Sequence, residues 1–298
     1  MSFKSGFIAL IGRPNAGKST LLNAILQTKV AIMSNKPQTT RNVIQGIKTT
    51  EHAQYIFIDT PGIHKPKHEL GRQMSKSALN SAFGVDVVYF LADASKPYGR
   101  GDAFILESLK QMQIPVFLLL NKIDLLTKEE LILALQSWQE VYEFSEIIPL
   151  SARKEDNLAT LLQVTDQYLK EGTKYYPDDT ISDHSDRFMI GELIREKVLH
   201  LTSEEIPHSV AVIIDELKWK KESIAIHATI YVERDSQKGI IIGKQGSLLK
   251  EVGTKAREEM EAMFGKKVYL ELFVRVEKDW RNRQRILQRL GYSDEDDL

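Results

Sequence analysis

Residues 12–19 read Gly-Arg-Pro-Asn-Ala-Gly-Lys-Ser and directly follow an apolar run, residues 7–11. Gly12 and Gly17 let the backbone wrap tightly, so that successive N–H groups converge on anionic oxygens. Lys18 can reach the β- and γ-phosphates of a nucleotide, and the Ser19 hydroxyl can hold Mg²⁺ at the start of the next helix. This context predicts a phosphate-binding loop rather than an ordinary glycine turn; its members are Gly12, Arg13, Pro14, Asn15, Ala16, Gly17, Lys18 and Ser19.

The tetrapeptide Asn121-Lys122-Ile123-Asp124 follows a second apolar run, residues 115–120, which is typical of a buried strand. The Asp124 carboxylate can accept two hydrogen bonds from the ring N–H and amino group of guanine, a pair that adenine does not offer. The stem of Lys122 can lie along the base, and Asn121 can tie this loop to the phosphate loop. Ser151-Ala152, after another apolar run, fits a backbone donor to guanine O6. We therefore predict GTP and GDP as ligands.

A third motif, Asp59-Thr60-Pro61-Gly62, follows the apolar segment 55–58. Asp59 is placed to hold the water shell of Mg²⁺, and the Gly62 N–H to contact the γ-phosphate. Between the first helix and the second strand, the polar stretch 37–41 offers a threonine that can close over the metal. We predict Thr40 rather than Thr39 for that role. The predicted metal site comprises Ser19, Thr40 and Asp59, and the nucleotide site also includes Thr60, Pro61, Gly62 and Ile63.

Strand-like and helix-like segments alternate through residue 172, which predicts an α/β domain with a mostly parallel sheet and helices on both faces. The motifs follow the ends of strands, where such sheets bind ligands. Their order resembles the translation-factor-related class of small GTPases over residues 5 to about 172. The resemblance implies a P-loop GTPase domain whose second strand, near residues 43–48, is an antiparallel edge strand.

Position 63 departs from the Ras-like pattern, in which a glutamine orients the attacking water. Isoleucine has no hydrogen-bonding group, so the predicted catalytic contributions come from Lys18, Mg²⁺ and backbone donors such as Gly62. We expect slow intrinsic hydrolysis. Related GTPases with Pro-Asn at this point of the loop use the asparagine to help bind K⁺, so Asn15 either serves a K⁺ site or braces the loop.

Composition narrows the class of protein. The chain has 298 residues, 42% hydrophobic and 27% charged, which suits two globular domains. It contains no cysteine, which excludes disulfides, thiolate metal sites and cysteine nucleophiles. The first residues show no signal-peptide pattern, and no apolar run approaches the roughly 18 residues of a membrane span. We expect a cytoplasmic protein.

The pattern changes after residue 172. A turn-rich, acidic stretch to Asp186 is typical of a linker. It is followed by a helix and two alternating strands, then by Gly243-Lys244-Gln245-Gly246, a long helix and a last strand. The order α-β-β-α-α-β around this loop resembles the α+β type II KH domain of RNA-binding proteins. The predicted domains are 1–173 (GTPase), 174–200 (linker and start of the first KH helix), 201–282 (KH) and 283–298 (tail).

The second half also has the charge of a nucleic-acid binder. Its loop glycines, Gly243 and Gly246, allow an RNA backbone to approach closely, Lys244 offers a cation, and such loops clamp about four nucleotides. Residues 234–289 carry fourteen Lys/Arg and eight Asp/Glu, an excess of six positive charges. No acidic residue interrupts the arginine-rich stretch near the end, which suits phosphate contact. The predicted RNA-binding residues are Gly243, Lys244, Gln245, Gly246, Arg281, Arg283 and Arg285.

A guanine-nucleotide domain followed by a type II KH domain is similar to the Era family of bacterial GTPases over essentially the whole chain. The resemblance implies a monomeric GTPase that binds the 3′ end of small-subunit rRNA and assists assembly of the 30S subunit, coupled to growth and the cell cycle. It also implies a peripheral association with the inner face of the cell membrane.

Two alternatives from other classes stay open from the residues alone. One is a GTPase of tRNA modification, a class that shares the Pro-Asn loop but typically ends in a cysteine-bearing motif. The other is a peripheral-membrane or cell-division GTPase whose KH-like domain binds protein. No strongly basic amphipathic helix stands out in the sequence to support membrane anchoring.

Overall fold

The computed structural model describes residues 2–292, which form two compact units. The first unit comprises residues up to 31 together with 40–67 and 71–183, and the second comprises 32–39, 68–70 and the residues from 184 onward. Residues 293–298 of the predicted tail, 283–298, lie outside the described residues, and these include all of its acidic residues 294–297. Within residues 2–292 no helix has both the length and the apolar character that a membrane span requires.

The first unit is built on a seven-stranded sheet with the order β2-β3-β1-β4-β5-β6, and the short β7 pairs with β1. Among the strands of this unit that the structure describes, only β2 and β7 run antiparallel to their neighbours, so the predicted antiparallel edge strand is confirmed. The elements are β1 (Lys4–Gly12), α1 (Lys18–Leu26), β2 (Ile44–Thr49), β3 (Ala53–Asp59), α2 (Glu69–Asn80), β4 (Val87–Asp93), α3 (Arg100–Lys110), β5 (Val116–Asn121), α4 (Lys128–Gln139), β6 (Glu146–Leu150), α5 (Leu158–Thr165) and β7 (Lys170–Glu171).

The central strands of this sheet are covered on both sides, which is why their sequences are continuous apolar runs. Every residue of β5 is buried, and so are the first six of β4. Parallel pairing of β3, β1, β4 and β5 brings their carboxyl ends to one edge of the sheet. The predicted motifs follow β1, β3 and β5, so this edge collects them.

The stretch predicted as a linker without regular structure is held against the first unit. Gln54 accepts hydrogen bonds from the backbone N–H groups of Tyr175 (2.7 Å) and Tyr176 (3.0 Å). Farther along, Ser182 forms an isolated bridge with Gly46 on β2. Residues 172–183 therefore satisfy the polar groups of the sheet's edge and belong to the first unit, and the C-terminal segment of the second unit begins at residue 184.

The second unit is an α+β layer structure with a three-stranded sheet in the order β10-β9-β8. One face of this sheet packs on helices through a shared apolar core that includes Ile194, Ile226, Ile241 and Ala256. The elements are α6 (Asp186–Leu201), α7 (Ile206–Ser209), β8 (Ala211–Trp219), β9 (Ser223–Val232), α8 (Asp235–Ile242), α9 (Ser247–Phe264), β10 (Lys267–Val276) and α10 (Gln284–Arg289). The element order predicted from the sequence is present, with the short helices α7 and α10 in addition.

Candidate nucleotide site and nucleic-acid interface

The phosphate-binding loop joins β1 to α1, and its lysine is buried inside the curve of the backbone. Lys18 Nζ donates to the carbonyl oxygens of Gly12 and Arg13, both at 3.2 Å. Burial lowers the pKa of Lys18 to about 8, against the attraction of Asp59. A buried ammonium held only by carbonyl oxygens gains strongly from an anion, so this position suits a nucleotide phosphate.

The three predicted metal ligands come together beside this lysine. Ser19 Oγ lies 2.7 Å from Thr40 Oγ1 and donates to Asp59 Oδ2 at 2.6 Å. The other carboxylate oxygen of Asp59 is buried without a hydrogen-bond partner. Burial raises the pKa of Asp59 to about 6, although Lys18 and Ser19 act in the opposite direction. An unsatisfied carboxylate oxygen next to two hydroxyls fits the hard oxygen ligands and waters of Mg²⁺.

The structure favours Thr40 over Thr39 for closing on the metal. Thr39 Oγ1 donates to the carbonyl oxygen of Lys36 at 2.7 Å, inside its own turn. Thr40, in contrast, is buried and already contacts Ser19. Within residues 2–292 no group of three His, Cys, Asp or Glu side chains could hold a metal. A site of hydroxyls, one carboxylate and nucleotide phosphates is how Mg²⁺ is usually bound beside a phosphate loop.

Gly62 and Ile63 are fixed against the phosphate loop. A Cβ on Gly62 would lie 2.6 Å from the backbone of Pro14, so only glycine fits this approach. The Ile63 N–H donates to the Gly12 carbonyl oxygen at 3.1 Å, and the side chain is 1% exposed in the core that contains Phe90. The isoleucine therefore acts as a packing residue that sets the path of the chain after Asp59.

Asn121 forms the predicted hydrogen-bonded link between the predicted base site and the phosphate loop. Asn121 Nδ2 donates to the Ala16 carbonyl oxygen at 2.8 Å, and its Oδ1 accepts from the Ala152 N–H at 3.0 Å. Asp124 is exposed, and its Oδ1 accepts from Ser151 Oγ at 2.6 Å. The carboxylate is thus oriented by Ser151 and accessible to a base. The Ile123–Leu125 segment forms a single 3-10 turn that carries it.

The prediction of a guanine O6 donor at Ser151-Ala152 stays a prediction. In this structure the Ala152 N–H donates to Asn121, and the Ser151 N–H donates to the Asp156 carbonyl oxygen at 3.3 Å. Both amides are therefore paired inside the protein. A base bound beside Asp124 would have to share one of these two donors.

Sequence reasoning missed two charged partners of the site. Lys122 Nζ lies 2.7 Å from Asp93 Oδ2 at the end of β4, and Arg13 Nη1 lies 3.3 Å from Asp102 Oδ2 on α3. Although burial opposes it, the bonds from Lys122 and Ser95 lower the pKa of Asp93 below its ordinary value. Asp93 follows an apolar run, as Asp59 does. This pattern places it at the carboxyl edge of the sheet, and it could have identified Asp93 as a residue near the site.

The loop between α8 and α9 presents its predicted residues as expected. Lys244 and Gln245 are exposed in a 3-10 turn, Lys244–Gly246. Gly243 has φ 74°, and a Cβ there would lie 2.8 Å from the Leu248 N–H, so glycine is needed to turn into α9. On α8, a Cβ at Gly239 would meet nothing within 4 Å. The open backbone at Gly239 and the exposed lysine suit the close approach of an RNA strand.

The arginines near the end differ from the prediction. No acidic residue interrupts them in sequence, but in space Arg281 Nη2 pairs with Glu233 Oε2 at 2.6 Å, and Arg283 and Arg289 both approach Glu277. The Arg281 side chain is 18% exposed and that of Glu233 10%. Arg281 is therefore a structural ion-pair residue rather than a free phosphate contact. Arg285 is exposed on α10 and keeps the predicted role as a proposal.

Replacing Arg281 with alanine should destabilise the second unit and leave the RNA-contacting loop intact. The change strands the Glu233 carboxylate in a mostly buried position, and removal of one partner of such a pair costs about 3 kcal/mol. Urea unfolding of Arg281→Ala and of the exposed Arg285→Ala measures this difference. Equal free energies of unfolding for the two variants would contradict the structural role.

Comparisons with known proteins agree with the division into these two sites. Residues 7–122 match the family described as 50S ribosome-binding GTPase, and residues 205–281 match the KH domain family. A variant of Era from Aquifex aeolicus bound to GDP and AlF4⁻ is 40% identical, with a TM-score of 0.95, and the match covers 98% of this chain and 100% of that one. Era in complex with MgGDPNP and nucleotides 1506–1542 of 16S ribosomal RNA is 41% identical, with a TM-score of 0.94 and the same coverage.

Proposed function

The chain belongs to the Era family of GTPases, and we propose that it is a GTP-hydrolysing switch that binds the 3′ end of small-subunit rRNA through its KH domain and assists 30S subunit assembly. One observation carries the proposal. The chain combines a phosphate site of Lys18, Ser19, Thr40 and Asp59 with an exposed Gly-x-x-Gly loop. It is similar over 98% of its length to an Era structure that holds both MgGDPNP and 16S ribosomal RNA.

Hydrolysis joins a water oxygen to the γ-phosphorus and breaks its bond to the β–γ bridging oxygen, giving GDP and phosphate. Mg²⁺, when bound, neutralises part of the charge on the β- and γ-phosphate oxygens. Ser19, Thr40 and Asp59 would hold it. Lys18 adds a buried positive charge beside the same oxygens, and the N–H groups of the loop converge on them. Positioning and electrostatic stabilisation therefore supply most of the catalysis.

Lys18 should matter far more to turnover than the side chain at position 63. Lys18→Ala removes direct stabilisation of the phosphates, and loss of one preorganised donor typically slows a reaction about 10²-fold or more. Ile63→Val shortens a packing side chain and changes no group near the reacting atoms, so we expect a change of less than about threefold. Single-turnover phosphate release at saturating GTP is the measurement. A comparable loss in both variants would count against the assignment of Lys18.

Asn15 offers a separate prediction about monovalent cations. It lies in the phosphate loop with φ 63°, a backbone conformation that asparagine tolerates. If its side chain helps to hold K⁺, exchange of K⁺ for Na⁺ should slow hydrolysis, and Asn15→Ala should remove the difference between the salts. Equal rates of the unmodified protein in the two salts would leave Asn15 as a brace of the loop and the GTPase assignment intact.

The proposed function is tested by nucleotide selectivity together with RNA binding. The full chain should release phosphate from GTP and not from ATP. It should bind a fluorescent RNA with the sequence of the 16S rRNA 3′ end more tightly than a scrambled RNA of equal length, measured by anisotropy with GDPNP and with GDP. Hydrolysis without sequence-selective RNA binding would favour the reading in which the KH-like domain binds protein.

Assembly of the small subunit places the protein in the cytoplasm. Peripheral contact with the membrane, which the family resemblance implied, is a further proposal that rests on that resemblance. Flotation of the full chain with anionic phosphatidylglycerol vesicles and with neutral phosphatidylcholine vesicles tests it. Absence from both vesicle fractions would remove the membrane from the proposed function.

A further inference from the structure

The three-stranded sheet of the second unit has a second face, opposite the helices. On β9 the residues Ile224, Ile226, Ala228, Ile230 and Val232 point into the core. Side chains alternate along a strand, so the intervening residues point the other way. We call the face that they form, with their partners on β8 and β10, the outer sheet face.

One end of the outer sheet face is covered by the C-terminal segment. Tyr231 is 8% exposed, and the guanidinium of Arg289 on α10 lies 5.6 Å from its ring centroid. Thr229 is buried and donates to Asp215 at 2.6 Å. This end is therefore already used within the unit.

The other part of the face exposes three planar rings. Tyr269 is 67% exposed and Phe273 46%, and the His227 side chain is also 46% exposed. Glu271 pairs with His227 in the register of β10 and β9, so His227 lies diagonally between the two aromatic residues. Strand spacing and rise put such diagonal neighbours about 8 Å apart. Rings on two adjacent strands thus form one open array.

Charged side chains surround these rings. Lys267 and Arg275 are exposed at the two ends of the same row on β10. On β8, Glu216 pairs with Lys218 at 2.5 Å and lies 3.7 Å from the His227 ring. Glu271 lies between Tyr269 and Phe273, and its carboxylate is 3.5 Å from the His227 ring.

This alternation of rings and charges decides between two kinds of occupant. The core of a protein–protein interface is depleted of charged residues and presents a continuous apolar patch. Single-stranded nucleic acid is bound instead by separated aromatic rings that stack bases, flanked by cations that contact phosphates. The outer sheet face has the second composition.

We propose that the outer sheet face is a second RNA-binding site, which stacks bases of a single strand on Tyr269, His227 and Phe273. Lys267 and Arg275 contact the phosphates. The carboxylate of Glu271 accepts from exocyclic amino groups, which cytosine has and uracil lacks. The proposal rests on the proposed function for its class of ligand.

The site is separate from the Gly-x-x-Gly loop. The loop connects α8 and α9, and both helices contribute to the core on the opposite face of the sheet, through Ile241 and Val252. A strand on the outer sheet face therefore leaves the loop accessible. The two sites together can hold two segments of one RNA.

The experiment removes the loop site first and then tests the outer sheet face. In the full chain carrying Lys244→Asp and Gln245→Asp, affinity for fluorescent 12-nucleotide oligo(C) and oligo(U) is measured by anisotropy. Adding Tyr269→Ala and Phe273→Ala should weaken oligo(C) binding at least about tenfold, since each stacked base contributes about 1–3 kcal/mol. Tyr269→Phe, which keeps the ring, should retain the affinity. Phe104→Ala, at an exposed position of the first unit, is the matched control.

Glu271→Gln should reduce the preference for oligo(C) over oligo(U), because an amide can donate to uracil O4 as well as accept from cytosine. Absence of RNA binding by the loop variant, or equal loss in Phe104→Ala and Tyr269→Ala/Phe273→Ala, would overturn the second site. Concentration-dependent self-association lost in the ring variants without any change in oligo(C) affinity would also overturn it, in favour of a protein contact. Failure of the proposed function would be seen in a different measurement, because the unmodified chain would then bind the rRNA 3′-end sequence no more tightly than a scrambled RNA.

Discussion

Asp124→Asn is expected to weaken GTP binding by about 4 kcal/mol, close to a thousandfold. In the proposed base site the carboxylate would accept two charge-assisted hydrogen bonds from the ring N–H and amino group of guanine, each contributing about 1.5–3 kcal/mol. An amide presents a donor where guanine also presents one. Xanthine carries a carbonyl oxygen at that position, so the variant should gain xanthosine triphosphate. Equilibrium titration with fluorescent analogues of both nucleotides measures the switch.

The structure sharpens this experiment. Asp124 is exposed and is held by Ser151 Oγ at 2.6 Å, so its substitution should disturb the fold little. Ser151→Ala removes the orienting bond and should weaken GTP binding by a smaller factor, about tenfold. Glu129→Gln, at an exposed acidic position on α4, is the matched control for loss of one negative charge. Unchanged GTP affinity in Asp124→Asn would remove the assignment of the base site.

The spatial clustering of the nucleotide-binding motifs was predictable because the motifs are local and the topology collects them. The phosphate loop, Asp59 and Asn121 each come where an apolar run ends, and parallel strands bring such positions to one edge of a sheet. The choice between Thr39 and Thr40 needed the structure. The choice depends on which of the two adjacent hydroxyls hydrogen-bonds to the backbone of its own loop, and the sequence of that loop is compatible with either threonine.

Ion pairs between distant residues were not predictable. Arg281 reads as a free cation in sequence, because its partner Glu233 precedes it by 48 residues and meets it only when the sheet and the C-terminal turn are assembled. A distant hydrogen bond was equally unpredictable: Arg195 on α6 is fully buried and donates to the carbonyl oxygen of Thr39 in the second unit. A buried arginine inside a helix has no sequence signature that separates it from a solvated one.

The stretch 172–183 shows a different limit. Its turn-rich, acidic composition correctly excludes a helix or a long strand, but composition does not reveal whether such a segment is held in place. In this protein Gln54 holds the segment in place: it accepts hydrogen bonds from two backbone N–H groups of the segment and donates to the Tyr176 carbonyl oxygen at 2.9 Å. The anchoring residue lies about 120 residues upstream, in a strand that otherwise reads as core.

Changing Lys244 and Gln245 both to Asp should abolish most binding of the rRNA 3′ strand at moderate salt, with a loss of about a hundredfold or more. The change removes one positive charge and adds two negative ones where the RNA backbone passes close to Gly243 and Gly246. Both side chains are exposed in the turn before α9, so thermal stability and GTP affinity should stay near their original values.

Salt and a charge-matched control separate a specific clamp from general electrostatics. Lys110→Asp/Lys170→Asp places a larger charge change at exposed positions of α3 and β7 in the first unit, outside both proposed RNA sites. If the loop clamps the strand, this control should lower RNA affinity only slightly at about 200 mM salt. The loop variant should still bind RNA weakly at that salt concentration, because it loses the close approach of the RNA backbone as well as a charge contact. Arg285→Ala should instead lower affinity evenly across RNA sequences and flatten its salt dependence, as loss of one phosphate contact does. If the folded loop variant kept its affinity for the rRNA 3′ strand, the assignment of the loop as an RNA clamp would be wrong, because two negative charges beside Gly243 and Gly246 must repel a bound RNA backbone.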